Sequence, residues 1–428
     1  MTGTSTIGVI AIFVVDFLSL VYVSHLHQID LTAAVGFATQ VLFYPVSINI
    51  GLTIGVTALV ARALGAGDRD RARRLAASGL VLSCLFSAVV ASVVLIYSRQ
   101  ILSGLGAVGP LRDVAERFLQ ITLPANVAFA AGMVLSGILR AVGDARRAMY
   151  VTLAGGIVTG IIDPILIFGL HFGVYGAAIS TVVSRLVFLG VGYWGAVRVH
   201  NLVGRPSVGA LMDDLRPVMN IALPAMATNL ATPVANSYVL HVFAKFGQAA
   251  IAATTVTDRV VPVAFGVIFA LTGAVGPILG QNLGAGLLER VRRTLTTSFV
   301  MTAVYVLSVW FILWVCSSLI ASLFDATAEA RTYIEFFCTF GVSAWLFIGF
   351  LFVANASFNN LGYPILSLVF NWGRASLGTI PFVTIGAAYG GVEGGQLGIA
   401  FGAAIFGLSA LATAYAVSGR LAKRHALP

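Results

Sequence analysis

Charge is scarce in this chain. Only 10% of its 428 residues are Asp, Glu, Lys or Arg, against about a quarter in an ordinary soluble domain. Hydrophobic residues make up 59%, and mean hydropathy is +0.97. Too little polar surface remains to coat a soluble globule, so the composition defines a polytopic membrane protein. The apolar runs lack the ten-residue alternation of a transmembrane barrel, and helices are the other way to satisfy a backbone in lipid. Cysteine is equally sparse: Cys84, Cys316 and Cys338 lie in apolar runs without paired spacing, which excludes a disulfide framework and a zinc site. The six histidines, His25, His27, His171, His200, His241 and His425, are scattered and form no catalytic motif. No basic stretch precedes the first hydrophobic segment, which also retains Asp16, so that segment is expected to stay as a helix and not be cleaved as a signal peptide.

What is abundant is long apolar sequence. Gly, Pro and charged interruptions divide it into twelve expected spans, at 6–24, 33–61, 76–98, 116–139, 149–170, 174–197, 217–243, 249–281, 294–323, 332–358, 364–389 and 394–418. The net charge of +9 follows this division. Arg62, Arg69, Arg71, Arg73 and Arg74 fall in one connection; Arg140, Arg146 and Arg147 in another; Arg198, Arg205 and Arg216 in a third; Arg290, Arg292 and Arg293 in a fourth. Arg420, Lys423 and Arg424 close the chain, so seventeen of twenty-five basic residues lie on one side. The opposite connections hold Arg99, Arg112, Arg117, Lys245 and Arg331. By the positive-inside rule both termini are cytoplasmic, in a cell or inner membrane. The basic excess is topological and calls for no nucleic-acid partner.

The two halves repeat each other. Leu64-Gly65-Ala66-Gly67, followed by Arg71, Arg73 and Arg74, recurs 219 residues later as Leu283-Gly284-Ala285-Gly286, followed by Arg290, Arg292 and Arg293. The same offset carries Gly143 onto Gly362, and Gly173, Gly176 and Ala178 return at Gly395, Gly398 and Ala400 with a three-residue slip. Six crossings return a chain to its starting side, so the halves share one orientation and are related by a pseudo-two-fold along the membrane normal. The expected organisation is an N-lobe over 1–198, a cytoplasmic linker over 199–215, and a C-lobe with a short tail over 216–428.

Paired Gly-Ala-Gly connections with trailing arginines, a six-plus-six layout, and Ile162-Asp163-Pro164 ahead of Gly173-Val174-Tyr175-Gly176-Ala177-Ala178 together resemble the multidrug and toxic compound extrusion (MATE) transporters. The resemblance covers essentially the whole chain. It implies an all-α fold of twelve transmembrane helices in two lobes. It also implies secondary active export of amphipathic, often cationic small molecules against inward protons or sodium ions, with no enzyme chemistry and no cofactor beyond the coupling ion. A monomer in the lipid bilayer is expected.

Asp163 lies within an apolar stretch from Tyr150 to Leu170, and Asp16 sits between Val15 and Phe17 in the first span. A charged Asp at the centre of a membrane helix costs roughly 2.5–3.5 kcal/mol on insertion scales, and such acids mark ion or substrate pathways. In the family the coupling site of the first lobe has an acid on the first helix, an Asn and an Asp one turn apart on the fifth, and a Thr on the sixth. Asp16, Asp163 and Thr181 match three of these, and Thr159 stands in the Asn position. Thr159 and Asp163 are four apart and share a helix face. A hydroxyl in place of an amide oxygen weakens a sodium cage over Asp16, Thr159, Asp163 and Thr181, so the proton is the expected coupling ion. The plain structural reading is that Asp163 only hydrogen-bonds a neighbouring helix. For Asp16 it is strengthened by the absence of an early first-helix proline, the first being Pro45.

The second half lacks equivalent acids, the 219 offset carrying Asp16 to Ala235 and Asp163 to Phe382. This asymmetry resembles the N-lobe-coupled, DinF-like branch. In place of acids the second half has Asn229, Asn236, Asn355 and Asn359, which either line a substrate path or make interhelical hydrogen bonds. Adjacent Asp258 and Arg259 point to different faces and are expected to pair with other helices. Arg185 and Arg374 either tune the acids or snorkel to an interface, and neither is assigned to a site. The alternative function is a flippase for lipid-linked sugars, which would need several arginines around a pyrophosphate. An intramembrane protease or acyltransferase would need a Gly-Asp pair or a His motif that the chain does not offer.

Overall fold

The computed structural model describes residues 29–324 and 327–425. The first expected span, with Asp16, lies outside the described residues. Among those described, the regular structure is helical without a strand. Two compact units divide the chain, Met1–Met226 and Ala227–Pro428.

In the first unit, helix α1 (Ile29–Gly65) is followed by α2 (Arg69–Ile96), short α3 (Ser98–Gly104), α4 (Gly109–Thr122), α5 (Asn126–Ala141), α6 (Ala145–Pro164) and α7 (Val174–Tyr193). Helix α8 (Val208–Phe243) starts in the first unit, inside the stretch read as linker, and continues into the second. There follow α9 (Gln248–Gly284), α10 (Leu288–Val315), α11 (Ser317–Leu323), α12 (Ala328–Thr339), α13 (Ala344–Leu361), α14 (Pro364–Gly373) and α15 (Ile380–His425). The last is interrupted by non-helical backbone at Gly390 and Gly391, which separates the eleventh and twelfth expected spans. Among the described residues nine helical stretches are long and apolar enough to cross a membrane.

One expected span, 116–139, is broken. α4 and α5 meet at 50°. Pro124 lies at the break, where it supplies no amide hydrogen and clashes with a continuing helix. The carbonyl of Thr122 is instead met by Arg185 of α7, whose guanidinium donates to it at 2.8 Å and lies 5.4 Å above the Phe129 ring.

The repeat read from sequence is present in the backbone. Gly67 and Gly286 have φ of 77° and 71°, and Gly143 and Gly362 have 93° and 95°. These left-handed values suit glycine. The amide of Gly67 donates to Leu64 O at 3.1 Å and that of Asp68 to Ala63 O at 3.0 Å; 219 residues on, Gly286 donates to Leu283 O at 3.0 Å and Leu287 to Asn282 O at 2.8 Å. Each half therefore stops its second span with the same hydrogen-bonded turn. Asp68 and Asp144 then cap the next helices by accepting from the amides of Arg71 and Arg147 at 2.9 and 3.0 Å.

Small residues bring backbones together. A Cβ at Gly386, Gly398 or Gly402 would strike the carbonyl of Gly394, Phe382 or Gly378 respectively. These three contacts share one antiparallel register, so the arms on either side of Gly390 and Gly391 lie backbone to backbone.

Candidate functional site

Asp163 is 1% exposed. It is the penultimate residue of α6, before Pro164 and a π-helical turn over Ile165–Gly169. Such turns recur at functional positions because they re-aim neighbouring side chains. The facing helix, α7, is registered by Ser184 Oγ, which donates to Gly155 O at 2.8 Å, and by Gly176, whose Cβ would press on Leu166 and Ile167. In that antiparallel register Thr181 stands level with Thr159, and Asp163 level with Ala177. The Thr159 hydroxyl donates to Gly155 O at 3.1 Å and that of Thr181 to Ala177 O at 2.9 Å. Each hydroxyl thus spends its proton on its own helix and presents lone pairs outward. Asp163, Thr159 and Thr181 thus bring one carboxylate and two hydroxyls to this level, and Asp16 lies outside the described residues.

The four asparagines separate. Asn355 Oδ1 accepts from Asn371 Nδ2 at 2.9 Å, and Asn359 Oδ1 accepts from Ser367 Oγ at 3.1 Å, joining α13 to α14. Asn229 is half-buried on α8. Asn236 lines a cavity of about 500 Å³ within the second unit. Thr232 and Asn236 of α8, Thr257, Asp258 and Phe269 of α9, Trp345 and Phe352 of α13, Asn371 of α14, Arg374 and Gln396 face this space. Phe265 stacks on Trp345 with centroids 4.7 Å apart, and Phe269 packs edge-on to Phe352 at 5.3 Å, which stiffens an aromatic wall.

Asp258 forms no ion pair among the described residues and is exposed on the cavity side of α9. Arg374 is 7% exposed and opens a π-helical turn over Arg374–Thr379. From sequence both stay outside any site, Asp258 because it is expected to pair with another helix and Arg374 because an arginine in an apolar run reads equally as a residue reaching for an interface. The signal in the sequence that singles out Arg374 is its place between Gly373 and Ala375, far from either end of its expected span.

The arginine-bearing connections of the first unit form a second polar cluster. The chain after α7 is bound by Arg69 to His200 O at 2.6 Å, by Arg73 to Asn201 Oδ1 at 3.2 Å, and by the Gly204 amide to Arg73 O at 3.0 Å. Buried Asp214 accepts from Arg74 at 3.1 Å and from Ser78 at 2.8 Å. Arg69, Arg73 and Arg74 therefore fasten this connection.

Long apolar helices in two units, with a buried carboxylate in one and a polar and aromatic cavity in the other, define a membrane transporter. The MatE family profile matches residues 5–165 and 224–385, one stretch in each half. The chain belongs to the MatE family, the multidrug and toxic compound extrusion transporters. It is 27% identical over 401 residues to the FAD transporter of Shewanella oneidensis, covering 92% of this chain and 88% of that protein. It is 23% identical over 353 residues to the multidrug export protein MepA of Staphylococcus haemolyticus, covering 81% and 77%. The crystal structure of the Vibrio cholerae MATE transporter VcmN in the bent form superposes with a TM-score of 0.92 at 22% identity, covering 100% of this chain and 96% of that one.

Proposed function

We propose that the chain is a proton-driven exporter of amphipathic organic compounds, with Asp163 carrying the coupling proton and both termini cytoplasmic. The observation that carries this reading is the near-complete burial of Asp163, 1% exposed, within the Ala145–Gly169 membrane-span candidate of the first unit. A carboxyl group so placed is costly to charge, and proton uptake relieves that cost, so protonation favours one packing of α6 and α7 and deprotonation another. A sodium cage is the less supported choice, since Thr159 offers a hydroxyl where an amide oxygen would be the better donor and hard cations need several good oxygen donors. Among the residues lining the second-unit cavity Arg374 is the one arginine, which argues against a lipid-linked sugar flippase. The multidrug names of relatives such as MepA support a broad substrate range.

The test is efflux from energised inverted vesicles or drug accumulation in expressing cells, with and without a protonophore. Accumulation of every lipophilic compound tried that is unaltered by the chain and by the protonophore would reject the reading.

A further inference from the structure

Among the described residues Arg374 has no anionic partner. Its guanidinium stays charged at any pH a cell meets, and it is buried, 7% exposed. Nη2 donates to the Thr232 hydroxyl at 3.3 Å, a long bond to a neutral group. Nε is buried with no hydrogen-bond partner. No carboxylate among the described residues lies within ion-pair distance, and the one acid in the cavity lining, Asp258, makes no ion pair with it. A buried guanidinium without a counter-charge is strongly disfavoured, so this one is suited to a charge that arrives from outside. The backbone holding it is fixed: Thr379 Oγ1 donates to Arg374 O at 2.9 Å, and Gly378 is pressed against Gly402 and Phe406.

The surroundings indicate what would carry that charge. Phe269, Trp345 and Phe352 form an apolar wall. Gln396 donates from Nε2 to Tyr333 O at 3.3 Å and keeps a buried Oε1 without a partner, an acceptor for a ligand N–H or O–H. A volume of about 500 Å³ lies within the range for small-molecule sites, roughly 300–1,000 Å³.

We propose that the second-unit cavity binds organic anions, with a phosphate or carboxylate on Arg374 and a planar body against the aromatic wall. This deepens the exporter reading and rests on it for the role of the bound compound as cargo.

The test uses the purified full chain and two fluorescent compounds that differ by one phosphate, riboflavin 5′-phosphate and riboflavin. Fluorescence titration should give at least about tenfold tighter binding of the phosphate. Arg374→Gln should bring the two within about twofold, and Arg374→Lys should keep part of the preference. Equal affinities in the wild-type protein, no saturable binding of either flavin, or a preference that survives Arg374→Gln would each overturn the proposal. Should Arg374→Gln not fold, the wild-type comparison and a fall in its phosphate preference between 0.05 and 0.5 M salt still decide the matter. Repeating the titration in phosphatidylcholine nanodiscs with and without phosphatidylglycerol separates the two sources of phosphate. An unchanged preference supports a soluble anion, whereas competition by phosphatidylglycerol places a lipid headgroup on Arg374 and overturns it. No gradient enters the measurement, so its failure leaves proton-driven export standing.

Discussion

His200 Nε2 lies 2.8 Å from Asp144 Oδ2, joining the chain after α7 to the capping residue of α6. Asp144 also accepts from the Arg147 amide and side chain. Burial alone would raise the Asp144 carboxyl, but the hydrogen bonds from His200 and Arg147 and the charge of Arg147 outweigh it and draw it down to about 2. A depressed carboxyl stabilises the folded state fully above its unfolded value of 3.8, and that contribution is lost as pH falls through about 2. Asp144→Asn should therefore cost about 1–2 kcal/mol at pH 7, read as a lower thermal midpoint in detergent. The gap from wild type should close between pH 4 and pH 2, and a gap constant over that window would remove Asp144 as its origin.

Asp163→Asn should leave insertion and folding intact, because the amide keeps hydrogen bonding, while efflux driven by a pH gradient in sodium-free vesicles falls to background. An isosteric amide that still gave near-normal, gradient-dependent efflux would return Asp163 to a structural role. Efflux that followed a sodium gradient and ignored pH would move the coupling ion.

Arg185→Leu should destabilise the first unit by about 1.5–3 kcal/mol, the range for a hydrogen bond to a charged group, since it strands the Thr122 carbonyl at the helix break. Arg185→Lys should recover part of this. A thermal midpoint unchanged in both variants would mean that the break is held by other contacts.

Gly402→Val should abolish folding of the second unit, since even a Cβ meets the Gly378 carbonyl, and overpacking against backbone leaves no side chain to give way. Gly419→Ala, at a position with open space, is the control and should express as wild type. Size-exclusion profiles of the two proteins make the comparison.

Single cysteines replacing Arg71 and Arg292, in a background lacking Cys84, Cys316 and Cys338, should both label from the cytoplasmic side. Labelling of the pair from opposite sides would refute the orientation read from the arginines.

Features set by short stretches of chain were legible in the sequence. The Gly-Ala-Gly turns could be read because a left-handed stop is written in adjacent residues, and Asp163 stood out because few acids interrupt apolar sequence. The bend between α4 and α5 was not read, although Pro124 is visible, because a proline in a membrane span kinks or terminates a helix according to its neighbours. Arg185, which satisfies the broken end, comes from 63 residues away. Arg374 was harder still: its burial and missing partner depend on α8, α9 and α13 converging around it. The asparagines divided for the same reason, since Asn355 and Asn236 are alike in sequence but face α14 and the cavity respectively.

The repeated glycine turns also bear on how the chain is made. The backbone hydrogen bonds of the stops after α1 and α9 fall within eight consecutive residues, Arg62 to Arg69 in one half and Gln281 to Leu288 in the other. Such a stop needs no distant partner. As the polypeptide leaves the ribosome from its N-terminal end, each of these helices can end at its proper residue, with arginines just beyond it, before the helices that will later pack against it have been synthesised.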